Sequence, residues 1–310
     1  MRDILVFYSD FDNYSQWKQL LQRELPDLDV RRAEDIEDPS QVRYALVWKP
    51  PIRFFHRWPN LELVINLGAG VDALVSRDDL PDVAVTRLSD PNMARMMAGY
   101  VLFAVLRYAR EIPFFERMQR EAQWCYRHPR SPETLRIGVM GLGELGKRAA
   151  EELARQGFSV AGWSRSPKRL EGIECYHGLD SLSAFLTDCE ILVVMLPSTP
   201  DTRGLLDAER LAALPRGASL INVSRGDIID ETALIEQLQS GHLGAATLDV
   251  FAKEPLEVSS PLWGMQQVLI TPHLASVALP DSAAAQIAEN IRRLRQGKPP
   301  HHRVDLQRGY

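Results

Sequence analysis

The sequence predicts an α/β protein of two domains, each built around a parallel sheet. Three observations carry this. Strand-like apolar runs alternate with helical runs in two successive series along 310 residues, which is the rhythm of parallel sheets. The second series opens on a glycine turn, Ile137–Gly146 (IGVMGLGELG), that joins a strand to a helix. The length suffices for two domains of ordinary size.

In the first series, Ile4–Tyr8, Tyr44–Trp48, Leu61–Leu67 and Val83–Leu88 read as strands, and Asn13–Leu25 as a helix. Lys49-Pro50-Pro51 and Gly68-Ala69-Gly70 are turns at strand ends. Met93–Glu111 reads as a long helix stopped by Pro113. The second series has six expected strands: Ile137–Met140, Phe158–Trp163, Ile191–Leu196, Ser219–Val223, Gly244–Val250 and Val268–Thr271. A last helix starts at Pro280-Asp281 and ends near Gly297, and KPPHHRVDLQRGY after it reads as a tail. If that helix returns to the first domain, the domains are residues 1–92 plus 281–310 and residues 93–280, Rossmann-like or flavodoxin-like, with a cleft between them.

The glycines of the turn each have a physical task. Gly141 permits the tight turn, Gly143 a close backbone approach to a pyrophosphate, and Gly146 the packing of helix on strand. The amides at the start of the helix from Glu144 suit an anion. Together these point to a dinucleotide. In NAD-selective folds an acid ends the second strand and takes the ribose hydroxyl. Here that position reads Ser164-Arg165-Ser166-Pro167-Lys168, with two hydroxyls, two cations and no acid. Such a loop favours a 2′-phosphate, hence NADPH over NADH.

Bulk properties exclude several classes. Hydrophobic residues are 45%, charged residues 25% and the formal net charge is −5, the balance of a globular domain and not the footprint of a nucleic-acid binder. Cys125, Cys175 and Cys189 form no C-x-x-C pair and suit a reducing, cytoplasmic setting. Residues 1–10 read as a first strand, not a signal peptide, and the apolar run Met96–Leu106 is too short to span a bilayer. Adjacent His301 and His302 lack a third ligand, so no metal site is expected.

Three motifs end successive strands of the second series: Asn222-Val223-Ser224-Arg225-Gly226, Leu248–Pro255 (LDVFAKEP) and Thr271–Ser276 (TPHLAS). They bring an Arg, a Glu and a His to the sheet edge where a nicotinamide ring belongs. Reduction of a ketone places negative charge on its oxygen. An imidazolium donates a proton there, a carboxylate on the other ring nitrogen fixes its orientation, and a guanidinium clamps a carboxylate bidentately. Arg225 is therefore the expected clamp, Glu254 the partner and His273 the acid/base.

GLGELG, LPSTPDT (Leu196–Thr202), NVSRG, LDVFAKEP and TPHLAS together resemble the D-isomer-specific 2-hydroxyacid dehydrogenase family over essentially the whole chain. Within it the chain is most similar to the glyoxylate/hydroxypyruvate reductase A type, through YALVWKPP, NLGAGVD, GWSRS, SPLW (Ser260–Trp263) and the closing RGY. The resemblance implies NADPH-dependent reduction of small 2-oxo acids, with Arg225, Glu254 and His273 as the catalytic set. It implies cofactor contacts at Gly141, Leu142, Gly143, Glu144, Leu145 and Gly146, and at Ser164, Arg165, Ser166 and Lys168. Further cofactor contacts are implied at Leu196, Pro197, Thr202, Val223, Ser224, Arg225, Asp249 and His273. Trp48, Gly68, Ala69 and Gly70 would join Arg225 and His273 at the substrate, and a homodimer would form through Met93–Met118.

One departure lies in the long helix, where many relatives carry an acid and this chain reads Met97-Ala98-Gly99-Tyr100. Gln119–Arg130, rich in Arg and aromatic residues, is either a dimer arm carrying Trp124 towards a neighbouring site or an exposed amphipathic linker. Two other functions compete: a dehydrogenase for a larger 2-hydroxy acid (phosphoglycerate or a branched 2-keto acid), and a dinucleotide-sensing binding protein.

Overall fold

The computed structural model describes residues 3–75 and 77–306; the RGY at the end of the sequence lies outside them. The chain forms two compact units, Met1–Met93 with Val277–Tyr310, and Ala94–Ser276.

The first unit carries β1 (Ile4–Tyr8), α1 (Tyr14–Glu24), β2 (Asp29–Arg32), β3 (Val42–Val47), β4 (Leu63–Asn66), α2 (Asp72–Val75) and β5 (Ala84–Arg87). Its five strands are all parallel in the order β2-β1-β3-β4-β5, a flavodoxin-like order. Alternate residues of β1 serve opposite faces. Leu5 and Phe7 pack with Trp17, Leu21, Ile287 and Ile291, whereas Ile4 and Val6 pack with Phe54, Trp58 and Leu74. Asn13 caps α1 by accepting from the Gln16 amide.

The remaining elements are α3 (Pro91–Ala109), α4 (Ile112–Arg120), β6 (Arg136–Met140), α5 (Glu144–Arg155), β7 (Ser159–Ser164), β8 (Glu174–His177), α6 (Leu182–Thr187), β9 (Ile191–Val194), α7 (Ala208–Ala212), β10 (Ala218–Asn222), α8 (Glu231–Gln239), β11 (Leu243–Leu248), β12 (Val268–Ile270) and α9 (Pro280–Arg295). The second unit's seven strands run parallel in the order β12-β11-β10-β9-β6-β7-β8. The order reverses between β6 and β9, the switch point of a Rossmann sheet. Both faces are covered: Ile137, Val139 and Val193 pack with Val101, Ala149 and Leu153, while Leu192 and Val194 pack with Phe185 and Leu211.

The sheets correct the expectation in four places. β2 (DVRR) and β8 (ECYH) are edge strands too polar and short to announce themselves, and β8 makes the second sheet seven-stranded rather than six. Pro113 does not end the helical segment. Glu111 adopts φ 52°, which breaks α3, and α4 starts at once with proline in its first turn. Of the expected tail, residues 301–304 are tied down: Thr86 bridges Arg303, the Val304 amide donates to Val85 O at 2.8 Å, and Asn290 exchanges two hydrogen bonds with the main chain of His301.

Candidate active site

The site residues fall into two groups, one in each unit. In the second unit, β10, β11 and β12 lie side by side, with Asn222 opposite Leu248 and Leu248 opposite Ile270. The loops carrying Arg225, Glu254 and His273 therefore leave one carboxyl edge. Glu254 and His273 meet: Nδ1 of His273 lies 2.9 Å from Oε2 and 3.1 Å from Oε1 of the carboxylate. Both side chains keep about a quarter of their surface exposed, 27% and 23%, so the pair is partly desolvated yet open to a ligand. The Phe251 amide also donates to Glu254 Oε1 at 3.2 Å, which fixes the carboxylate. Nδ1 of His273 faces the carboxylate, so Nε2 is the ring nitrogen on the side away from Glu254.

Arg225 reaches this edge through an Asx turn. Asn222, buried, accepts from the Ser224 amide and hydroxyl and donates to Arg225 O at 2.9 Å. The Arg225 guanidinium donates to Ser224 O at 2.6 Å. At Gly226 a Cβ would stand 1.8 Å from Phe251 C. Only glycine allows the Arg225 segment to press onto the strand loop that leads to Glu254.

His273 itself has φ 56°, in the left-handed region that non-glycine residues seldom adopt. Asp249, 1% exposed, holds that turn. Its carboxylate accepts from the Thr271 hydroxyl at 2.6 Å and from the Leu274 and Ala275 amides at 2.9 Å. Its carbonyl accepts from the His273 amide at 2.8 Å. Asp249 thus faces the His273 turn.

The glycine turn fits a dinucleotide. Gly141 has φ 115°, and a Cβ there would lie 2.6 Å from Met195 O; one on Gly146 would lie 1.8 Å from Gly141 O. Over Gly143 a Cβ would meet nothing within 4 Å, so the backbone faces open space. No side chain caps α5 at Gly143, which leaves the helix start to an anion. Leu142 turns into the core against Gly162, Leu145 is partly buried, and Glu144 lies in the exposed first turn. At the end of β7 the Ser164 hydroxyl donates to Ser166 O at 2.8 Å, closing a tight loop on which Arg165, Ser166 and Lys168 are exposed. Leu196, Val223 and Ser224 are buried at strand ends, and Pro197 is exposed. Thr202 shapes its own turn, donating to Pro197 O at 2.6 Å and accepting from the Thr199 amide at 2.8 Å.

In the first unit, the Trp48 ring lies on Gly68, where a Cβ would stand 2.5 Å from Cζ3. Buried Asn66 draws in the carbonyls of Gly68 and Gly70 at 2.9 and 2.8 Å, shaping the Gly68-Ala69-Gly70 loop. The Lys49 Nζ sits 5.7 Å from the Trp48 ring centre. Behind this loop Arg77 donates to Pro50 O and Pro51 O at 2.6 and 2.7 Å and pairs bidentately with Asp79. Burial pushes the Asp79 carboxyl up, but the Arg77 guanidinium and the Phe55 amide together hold it below its usual value. Arg77 is a supporting residue outside every motif; Asn66 and Asn222 open the NLGAGVD and NVSRG motifs, and their turn-shaping bonds follow from standing at strand ends just before glycine or serine turns.

Comparison with known proteins agrees with this architecture. Residues 102–275 match the family described as D-isomer specific 2-hydroxyacid dehydrogenase, NAD binding domain. A protein of Serratia proteamaculans named glyoxylate/hydroxypyruvate reductase A is 40% identical over 312 residues, covering 99% of each chain. A D-isomer specific 2-hydroxyacid dehydrogenase of Xanthobacter autotrophicus Py2, solved in complex with NADPH and MES, is 63% identical with a TM-score of 0.96 over 100% of both chains. An NADPH-dependent glyoxylate/hydroxypyruvate reductase of Sinorhizobium meliloti, solved with NADP and sulfate, is 35% identical with a TM-score of 0.94, covering 99% of this chain and 100% of that one. The chain belongs to the D-isomer specific 2-hydroxyacid dehydrogenase family.

Proposed function

We propose that this chain reduces small 2-oxo acids with NADPH, converting glyoxylate to glycolate and hydroxypyruvate to D-glycerate. The observation that carries the chemistry is the His273–Glu254 contact of 2.9 Å at the carboxyl edge of the dinucleotide sheet. The substrate class follows from relatives named glyoxylate/hydroxypyruvate reductase A that align over nearly the whole chain.

When bound, NADPH supplies the hydride. His273 donates the proton from Nε2 to the carbonyl oxygen, and Glu254, on Nδ1, holds the ring in place. Arg225 binds the carboxylate of the 2-oxo acid and polarises the neighbouring carbonyl. In the first unit, the Gly68-Ala69-Gly70 loop and Trp48 are assigned to substrate binding, the roles the family resemblance implies for them. We assign dinucleotide binding to the second unit, together with the substrate contacts of Arg225 and His273, and further substrate contacts to the first unit. Product identification tests the reading: glyoxylate with NADPH is expected to yield glycolate in step with NADPH consumed, and consumption without glycolate would overturn it.

The loop Ser164–Lys168 is assigned to the 2′-phosphate. Replacing Arg165 and Lys168 together by Ala is expected to raise the KM for NADPH by about 10- to 100-fold, the loss of one or two charge-assisted hydrogen bonds, and to leave the KM for NADH little changed. Equal effects on both cofactors would remove this assignment.

We also propose a homodimer through Met93–Met118. Phe103 and Leu106 on α3 and Ile112 at the start of α4 are exposed along this segment, apolar surface that a second copy of the chain would cover. Light scattering is expected to give twice the 35.0 kDa chain mass; a monomer at micromolar concentration would contradict it. Residues 121–131 beyond it run without helix or strand and are exposed throughout, with Trp124 fully solvated. Among the described residues no helix is long and apolar enough to cross a membrane. The three cysteines are unbridged, which suits a reducing compartment, and we read the chain as cytoplasmic.

A further inference from the structure

Two tyrosines tie α3 to the sheet of the second unit. Tyr108 Oη lies 2.6 Å from Thr247 Oγ1, and Tyr100 Oη lies 2.6 Å from Thr271 Oγ1. The two bonds look alike but end differently. Thr247 is fully buried inside β11. Thr271 directly follows β12, and its hydroxyl donates onward to Asp249 Oδ1 at 2.6 Å.

Counting hydrogens fixes the direction of this chain of bonds. A carboxylate only accepts, and Asp249 receives two amides and one hydroxyl. Thr271 has a single hydroxyl hydrogen, and it goes to Asp249. Tyr100 is therefore the donor to Thr271. Burial pushes the Tyr100 phenol above its ordinary pKa, the nearby Asp249 charge adds to the rise, and the Thr271 bond offsets only part of it. The phenol thus keeps its proton at neutral pH and can act as the donor. Each donation polarises the next, so the links strengthen one another.

Asp249 stands at the end of that chain and grips the His273 turn from both sides, by its carbonyl before the histidine amide and by its carboxylate on the two amides after it. A left-handed histidine persists only where its surroundings over-determine it. We propose that Tyr100 is a positioning residue for His273: through Thr271 and Asp249 it holds the left-handed turn that sets the imidazole against Glu254. This rests on the acid/base role given to His273 above. It also gives a task to the stretch of α3 where the chain departs from its family's acid.

Tyr108 is the internal control, because Tyr108→Phe removes the same kind of bond without touching the His273 turn. The full-length protein is compared as Tyr100→Phe, Tyr108→Phe and Thr271→Val, which breaks the chain at its middle link. Three quantities are read: kcat with glyoxylate, NADPH affinity, and hydrogen exchange of the Leu274 and Ala275 amides. Tyr100→Phe and Thr271→Val are expected to lower kcat about fivefold, to speed exchange of both amides about fivefold, and to leave NADPH affinity unchanged, as the loss of one buried hydrogen bond predicts. Tyr108→Phe is expected to leave kcat and those two amides at wild-type values. The proposal is overturned if Tyr100→Phe keeps both kcat and amide protection, or if Tyr108→Phe changes them equally. Should the wild-type protein fail to reduce glyoxylate while Tyr100→Phe still exposes the two amides, the positional claim stands and the functional reading falls.

Discussion

Replacing His273 by Gln is expected to lower kcat for glyoxylate reduction by about 10³- to 10⁴-fold with NADPH affinity near wild type, the upper range for loss of a positioned acid. Glutamine preserves much of the side chain's bulk and can still hydrogen-bond Glu254, but it has no proton to deliver at neutral pH. The backbone argues for the same size of effect. The histidine occupies a left-handed turn at φ 56°, and Asp249 spends its carbonyl and both carboxylate oxygens on keeping it there. Such strain has no evident folding benefit, so it is intelligible as the means of aiming one ring. Initial rates at saturating NADPH measure the effect, and retention of most of kcat would remove His273 from the chemistry.

Arg225→Lys is the second large effect. A lysine keeps the charge but cannot form two parallel bonds to a carboxylate, and it cannot at once polarise the adjacent carbonyl. We expect kcat/KM for glyoxylate to fall by about 10²- to 10³-fold, comparable to removing one donor from an oxyanion site, with KM for the acid rising and NADPH affinity little affected. The Asx turn at Asn222 remains intact in this variant, since Asn222 bonds the main chain of residues 224 and 225 and not the guanidinium. A loss of that size is therefore attributable to the side chain itself. A variant within about threefold of wild type would place the clamp elsewhere.

Much of this architecture is legible in the sequence because buried parallel strands are written as unbroken apolar runs. LVIN of β4 and ILVV of β9 are buried at every position. The edge strands DVRR and ECYH bury one residue or none fully, so no such run exists for them. The glycine turn is legible for a steric reason: at Gly141 and Gly146 the neighbouring backbone leaves no room for a Cβ. The catalytic types were legible as motifs at strand ends, whereas their supports were not. Arg77 reaches back to the carbonyls of Pro50 and Pro51, and Tyr100 reaches Thr271, far along the chain. Bonds of that kind leave no periodicity and no local spacing. Asp249 was legible as part of a motif, but its direction of bonding, into the His273 turn, is a property of the folded edge alone.

The most direct test of the central claim is a comparison of kcat/KM for NADPH and NADH with glyoxylate, hydroxypyruvate and 2-ketoisocaproate. The account predicts turnover of the first two acids with NADPH, at least about tenfold more efficient than with NADH, as one charge-assisted contact to the 2′-phosphate requires. Preference for NADH, or turnover of the branched acid alone, would contradict it.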